Sequence, residues 1–124
     1  MFERHRQLRG GVIELGAGWV PSMIKRLDWV AEIWRRSEPE LAALTRRPSE
    51  QIIEHMAFTP YVYEDIGELV RQSDERLYLF SSDYPHAEGG RAPLERFSAS
   101  LAACDAVAQS RFYSENFARM FGIA

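Results

Sequence analysis

The run Leu77-Tyr78-Leu79-Phe80-Ser81-Ser82-Asp83-Tyr84-Pro85-His86 constrains the fold of this chain more than any other stretch. Its apolar half reads as a buried strand over residues 77–81, and an aspartate follows close behind. Pro85 ends the strand, because proline has no N–H to give to a ladder. In parallel α/β proteins the strand end is where chemistry gathers: the strand is rigid and the loop beyond it opens onto a pocket. Asp83 is therefore the first candidate for a catalytic residue.

The rest of the chain alternates in a way that suits such a strand. Residues 11–15 form a short apolar run between glycines and read as a strand, and Gly16-Ala17-Gly18 turns the chain. Pro21 fits the first turn of a helix. Met23, Ile24, Leu27, Trp29, Val30, Ile33 and Trp34 recur at helical spacing, which predicts an amphipathic helix over 21–36. A short helix over 38–45 stops at Arg46-Arg47-Pro48. Residues 51–59 allow either a helical turn capped by Ser49 or a strand, and periodicity does not separate the two. Helices are expected over 63–72 and from Pro93 onward, with a break near Asp105. Ser114 would cap a last helix that Gly122 closes at C′. Strand-helix alternation on this spacing indicates an α/β fold of βαβ units around a parallel sheet. Three units fit, and three parallel strands leave sheet edges that want partners.

Composition narrows the class. The chain has 124 residues, at most one domain and far short of the ~250 of a (β/α)8 barrel. Its 46% hydrophobic content predicts globular burial. A formal charge of −3 gives no basic footprint for nucleic acid. No apolar stretch approaches the ~20 residues that span a bilayer, and the charged start is unlike a signal peptide. Cys104 is the single cysteine and fits a small buried residue in a reducing, cytoplasmic setting.

Three landmarks carry a family resemblance over nearly the whole chain: Glu14-Leu15-Gly16-Ala17-Gly18-Trp19-Val20-Pro21 with Leu27-Asp28, the run Ser82-Asp83-Tyr84-Pro85-His86, and Ser114-Glu115-Asn116-Phe117-Ala118-Arg119-Met120-Phe121-Gly122. In order and spacing they resemble the C-terminal end of the amidohydrolase-related family of metal-dependent (β/α)8 enzymes, which includes aminocarboxymuconate-semialdehyde decarboxylase and the resorcylate-type decarboxylases. The resemblance implies a partial (β/α)8 barrel, strands six to eight at residues 11–15, about 52–59 and 77–81, followed by C-terminal helices. It also implies hydrolysis or non-oxidative decarboxylation of a small carboxylated or aromatic substrate. Asp83 falls on the family's strand-eight aspartate beside a zinc-type divalent metal, where a carboxylate can serve as ligand and proton acceptor.

The family's remaining metal ligands, a His-x-His pair and two further histidines, have no counterpart here. A zinc-type catalytic site takes three protein ligands and an open position. The expectation is thus a lone oxygen donor, no metal held by this chain alone, and no activity without an N-terminal partner chain. The alternative is a non-catalytic α/β module whose open edges drive homo-oligomerisation.

Other candidates rank lower. Glu14 is costly in an apolar run unless it is paired or reaches a pocket, and the resemblance puts it at the mouth of strand six. His86, in the loop after Pro85, could touch substrate at the pocket edge. Trp19 could wall the same pocket or simply pack. His55 reads as a hydrogen-bonded structural histidine and His5 as solvated. Trp29 and Trp34 read as core or contact residues. Gly16-Ala17-Gly18 lacks the full phosphate-loop fingerprint and reads as a tight turn.

Overall fold

The first strand, β1 (Gly10–Val12), pairs in parallel with β2 (Met56–Phe58), Gly10 opposite Met56 and Val12 opposite Phe58. The structure, a computed structural model, describes residues 1–123. Tyr78 bridges Phe58 in parallel, and Leu79 N–H donates to the Phe58 carbonyl at 2.9 Å, so a third extended segment lies on the far side of β2. All three run the same way. Their C-terminal ends therefore open on one side of the molecule.

Helices make up most of the remainder: α1 (Val20–Trp34), α2 (Pro39–Ala42), α3 (Pro48–His55), α4 (Ile66–Gln72), α5 (Pro93–Leu101), α6 (Ala106–Ser110) and α7 (Asn116–Phe121). Proline stands in the first turn of α1, α2, α3 and α5, where its missing N–H is no loss. Asp65 and Asp105 cap α4 and α6 through Glu68 N–H and Ala108 N–H, each at 2.9 Å. Asp105 also explains the break after α5. Gly122 closes α7 at φ 64°, the left-handed conformation that favours glycine. The chain is mixed α/β and mostly helical.

Three expectations need correction. The strand over 52–59 is confined to its last part, because α3 runs on to His55: Pro48 starts it, and the Glu50 carboxylate accepts Arg47 N–H at 2.8 Å. Residues 77–81 do not form a full strand. Glu75–Leu77 is a 3₁₀ turn, and the far side of Tyr78 and Phe80 is taken by helical groups: Asn116 Nδ2 donates to the Tyr78 carbonyl at 2.9 Å, and Phe80 N–H donates to the Phe112 carbonyl at 2.9 Å. Finally, Ser114 caps nothing, because Arg111–Glu115 is a π-helical turn that joins α6 to α7 without a break.

The core gathers Val20 and Ile24 of α1, Phe58, Ile66, Leu69, Leu77, Tyr78, Phe97, Leu101 and Phe112. Only the first two turns of α1 join it. Trp29 and Trp34 are 67% and 53% exposed, with Ile33 beside them, so they are not core residues. The helix forms as its periodicity dictates, but nothing among the described residues covers the apolar face of its second half. Asp28 anchors this part instead, accepting Ser49 N–H at 2.8 Å and the Ser49 hydroxyl at 2.7 Å. Among the described residues no helix is long and apolar enough to cross a membrane.

Candidate functional site

The three parallel segments bring Glu14, Thr59, Ser81 and Asp83 to the lip of one small cleft, with Ile13, Tyr61, Glu88 and Gly89 completing it. Glu14 follows β1 by two residues, Thr59 follows β2 directly, and Asp83 and His86 follow the third segment. This is the arrangement expected where parallel strands end together.

Glu14 and Asp83 are the two non-glycine residues with positive φ among the described residues, at 67° and 54°. Such conformations cost of order 1–3 kcal/mol and persist where surrounding contacts over-determine them. Those contacts are visible. Thr59 N–H donates to the Val12 carbonyl at 3.1 Å, Glu14 N–H to the Thr59 hydroxyl at 3.3 Å, and the Tyr61 hydroxyl to the Glu14 carbonyl at 2.8 Å. Asp83 N–H meets the Ser81 hydroxyl at 3.3 Å, and His86 N–H donates to the Asp83 carbonyl at 2.8 Å.

The side chains then converge. His86 Nδ1 lies 3.0 Å from Asp83 Oδ1 and 3.0 Å from Glu14 Oε1. The bond to Asp83, its charge and then the Glu14 charge hold the His86 pKa above the usual histidine range. Asp83 is the more sheltered acid, and Glu14 and His86 are more than half exposed. One donor atom from each of the three lies within 4.8 Å of the others. Two carboxylates and an imidazole suit a zinc-type cation, so the residues present fit the metal that the resemblance implies.

Trp19 is not among the residues lining this cleft. Its indole N–H lies 3.2 Å from both the Leu15 and the Gly16 carbonyls, and its ring packs edge-on against Phe58. His55 is fully buried, stacked on Phe2 and 2.9 Å from the Leu8 carbonyl through Nδ1. His5 is exposed.

Sequence reasoning missed Glu64. Its carboxylate accepts Ala17 N–H at 2.9 Å, Gly18 N–H at 2.7 Å and Tyr61 N–H at 2.7 Å. It thereby ties the loop after β1 to the loop after β2. The signal was the glycine turn itself: Gly16 at φ 63° aims successive N–H groups into one concavity, and such a nest attracts an anion. The chain supplies that anion from within.

Gly89 seats the other loop. A Cβ there would come 2.2 Å from the Ser82 carbonyl oxygen and 3.2 Å from Asp83 Cβ. Gly89→Ala is expected to cost about 1–3 kcal/mol, the usual toll of overpacking against backbone. A denaturant titration in which the alanine variant keeps the wild-type midpoint would show that the loop yields freely.

No family model matches the chain, and no curated protein matches it. Twelve solved chains do. In one crystal structure, an amidohydrolase from Mycobacterium avium subsp. paratuberculosis, the likeness extends over 98% of this chain at 30% identity and a TM-score of 0.79. The chain is similar to an amidohydrolase. It spans only 30% of that enzyme's length. The likeness supports a relationship to the amidohydrolases, in line with the resemblance drawn from the three sequence landmarks.

Proposed function

We propose that this chain supplies strands six to eight, and the helices after them, to a metal-dependent amidohydrolase-type (β/α)8 enzyme that hydrolyses or decarboxylates a small carboxylated or aromatic substrate. The observation that carries the reading is the meeting of Glu14, Asp83 and His86 at the shared carboxy-terminal end of parallel segments, in a chain similar throughout to an amidohydrolase. A divalent metal bound there would supply electrophilic polarisation of substrate or water.

The chain's own groups have separate tasks. Asp83, partly sheltered and fixed by its neighbours, is the carboxylate that orients water and takes up its proton. His86 and Glu14 stand at the open side, where a polar substrate enters. Trp19 braces the turn behind Glu14 through its indole N–H. The remaining histidine ligands and the first five strands come from outside the chain, as an N-terminal partner or as a preceding segment of the same polypeptide. On this reading the chain by itself does not turn over substrate.

A chimera tests this. Placing the chain behind the part of the Mycobacterium amidohydrolase that it does not cover is expected to give one folded, metal-loaded species. That species should act on a panel of small amides, esters and aromatic carboxylates, and Asp83→Asn should lower its rate by roughly 10²-fold or more, as loss of a positioned acid–base group does. Activity indifferent to Asp83→Asn would refute the proposal, as would a chimera that folds without any turnover.

A further inference from the structure

We infer that the outward side of α1, with the groove beside it, is a twofold contact between two copies of this chain, the two α1 helices running antiparallel with Trp29 next to the axis. The inference goes beyond the barrel reading, because it concerns the side of α1 that faces away from the strands.

Helical period fixes which side that is. Val20 and Ile24 are buried in the core. Trp29 and Ile33 follow them by nine residues each, two and a half turns at about 3.6 residues per turn, and so stand on the opposite side of the helix. Both are two-thirds exposed. A helix packed beside α1 in a ring around the strands would meet the flank that carries Val30 and Trp34. The side that carries Trp29 and Ile33 is open to a second molecule.

Trp29 also lines a groove of about 670 Å³ between α1 and residues 41–48, where Leu41, Leu44 and Pro48 supply apolar surface. An aromatic side chain seated in such a groove buries ~150–250 Å². In a twofold contact each copy gives one tryptophan and receives one. Every insertion thus covers surface on both molecules, toward the ~800 Å² per partner of a specific interface.

Charge decides the occupant. Lys25 and Glu32 both line the groove, about two turns apart on one flank of α1, with Trp29 between them. Lys25 has no ion pair among the described residues, and Glu32 has only an exposed contact with Arg35 at 3.9 Å. A uniformly acidic or basic partner would meet a like charge at one end of this flank. A second α1 running the other way meets none: an axis beside Trp29 sets Lys25 of one copy against Glu32 of the other, and symmetry repeats the pair. The helix dipoles are then antiparallel as well.

Sedimentation velocity of the chain over roughly 1–100 µM reads the outcome. A reversible monomer–dimer equilibrium is expected. Trp29→Ala should weaken the dimer roughly 30-fold or more, as loss of a central anchor does, while circular dichroism stays that of the parent. Trp34→Ala, on the flank, should change the equilibrium little. Lys25→Glu and Glu32→Lys should each weaken the dimer, and the double variant should restore it, because an antiparallel pair exchanges both charges at once. A chain that stays monomeric throughout would overturn the inference. So would a dimer indifferent to Trp29→Ala, or a double variant no tighter than either single change. None of these substitutions touches the candidate site, so dimer and chimera are judged separately.

Discussion

Glu64→Ala should destabilise the chain by about 3 kcal/mol. Three backbone N–H groups, those of Ala17, Gly18 and Tyr61, converge on its carboxylate, and no other acceptor among the described residues stands in for it. A hydrogen bond to a charged group is worth roughly 1.5–3 kcal/mol net. Gly18 lies open enough for water to replace part of the loss, which keeps the total below the simple sum. For a protein whose whole stability is about 5–15 kcal/mol, this is a large share. Glu64→Gln should fall between, since the amide keeps one acceptor but turns an NH₂ toward N–H groups. Urea unfolding followed by circular dichroism measures both. A loss under about 1 kcal/mol in the alanine variant would mean that water holds the turn as well as the carboxylate does.

Phe97→Ala should cost still more, about 3–5 kcal/mol for the emptied volume. Phe97 of α5 is wholly buried, with its ring centroid 5.1 Å from Phe112 and 5.8 Å from Phe80 in edge-on arrangements. These rings join α5, the turn after α6 and the third extended segment. Favourable aromatic pairing adds roughly 0.5–1.5 kcal/mol beyond burial. Phe97→Leu keeps most of the volume and should lose well under half as much. The same urea series reads the result; an alanine variant within about 1.5 kcal/mol of the parent would place the centre of the core elsewhere.

The sequence was legible where one local rule acted alone. Proline at Pro21 and Pro93 lies in the first turn of a helix, Asp105 marks the break after α5, and Gly122 closes α7. The position of Asp83 just past an extended apolar segment follows from Leu77–Phe80 and Pro85. Where two rules competed, reading stopped short. Residues 52–58 hold half a helix and a three-residue strand, and neither is long enough to establish a period. Tyr78 and Phe80 have strand composition, but Asn116 and Phe112 occupy the bonds that a second ladder would use.

Distance along the chain hid the rest. Nothing near Glu14 announces His86, and nothing near Ala17 announces Glu64, because each pairing depends on parallel segments bringing remote loops to one end. The outward face of α1 was misjudged for a related reason. Periodicity reports which residues share a side of a helix, not whether a neighbour exists to bury them, and Trp29 and Trp34 stay more than half exposed.

The cover that Phe112 and Asn116 place over the third segment makes the sheet directional. On that flank Phe80 N–H and the Tyr78 carbonyl are already engaged, whereas on the opposite flank Gly11 has no backbone bond to any described residue. An incoming parallel strand would therefore enter beside the two glycines first, where no side chain bars the approach. On the proposed barrel reading, pairing at the other flank would come last, because the Asn116 and Phe112 bonds must give way first. Assembly from this piece would then run as a zipper with one free end and one latch.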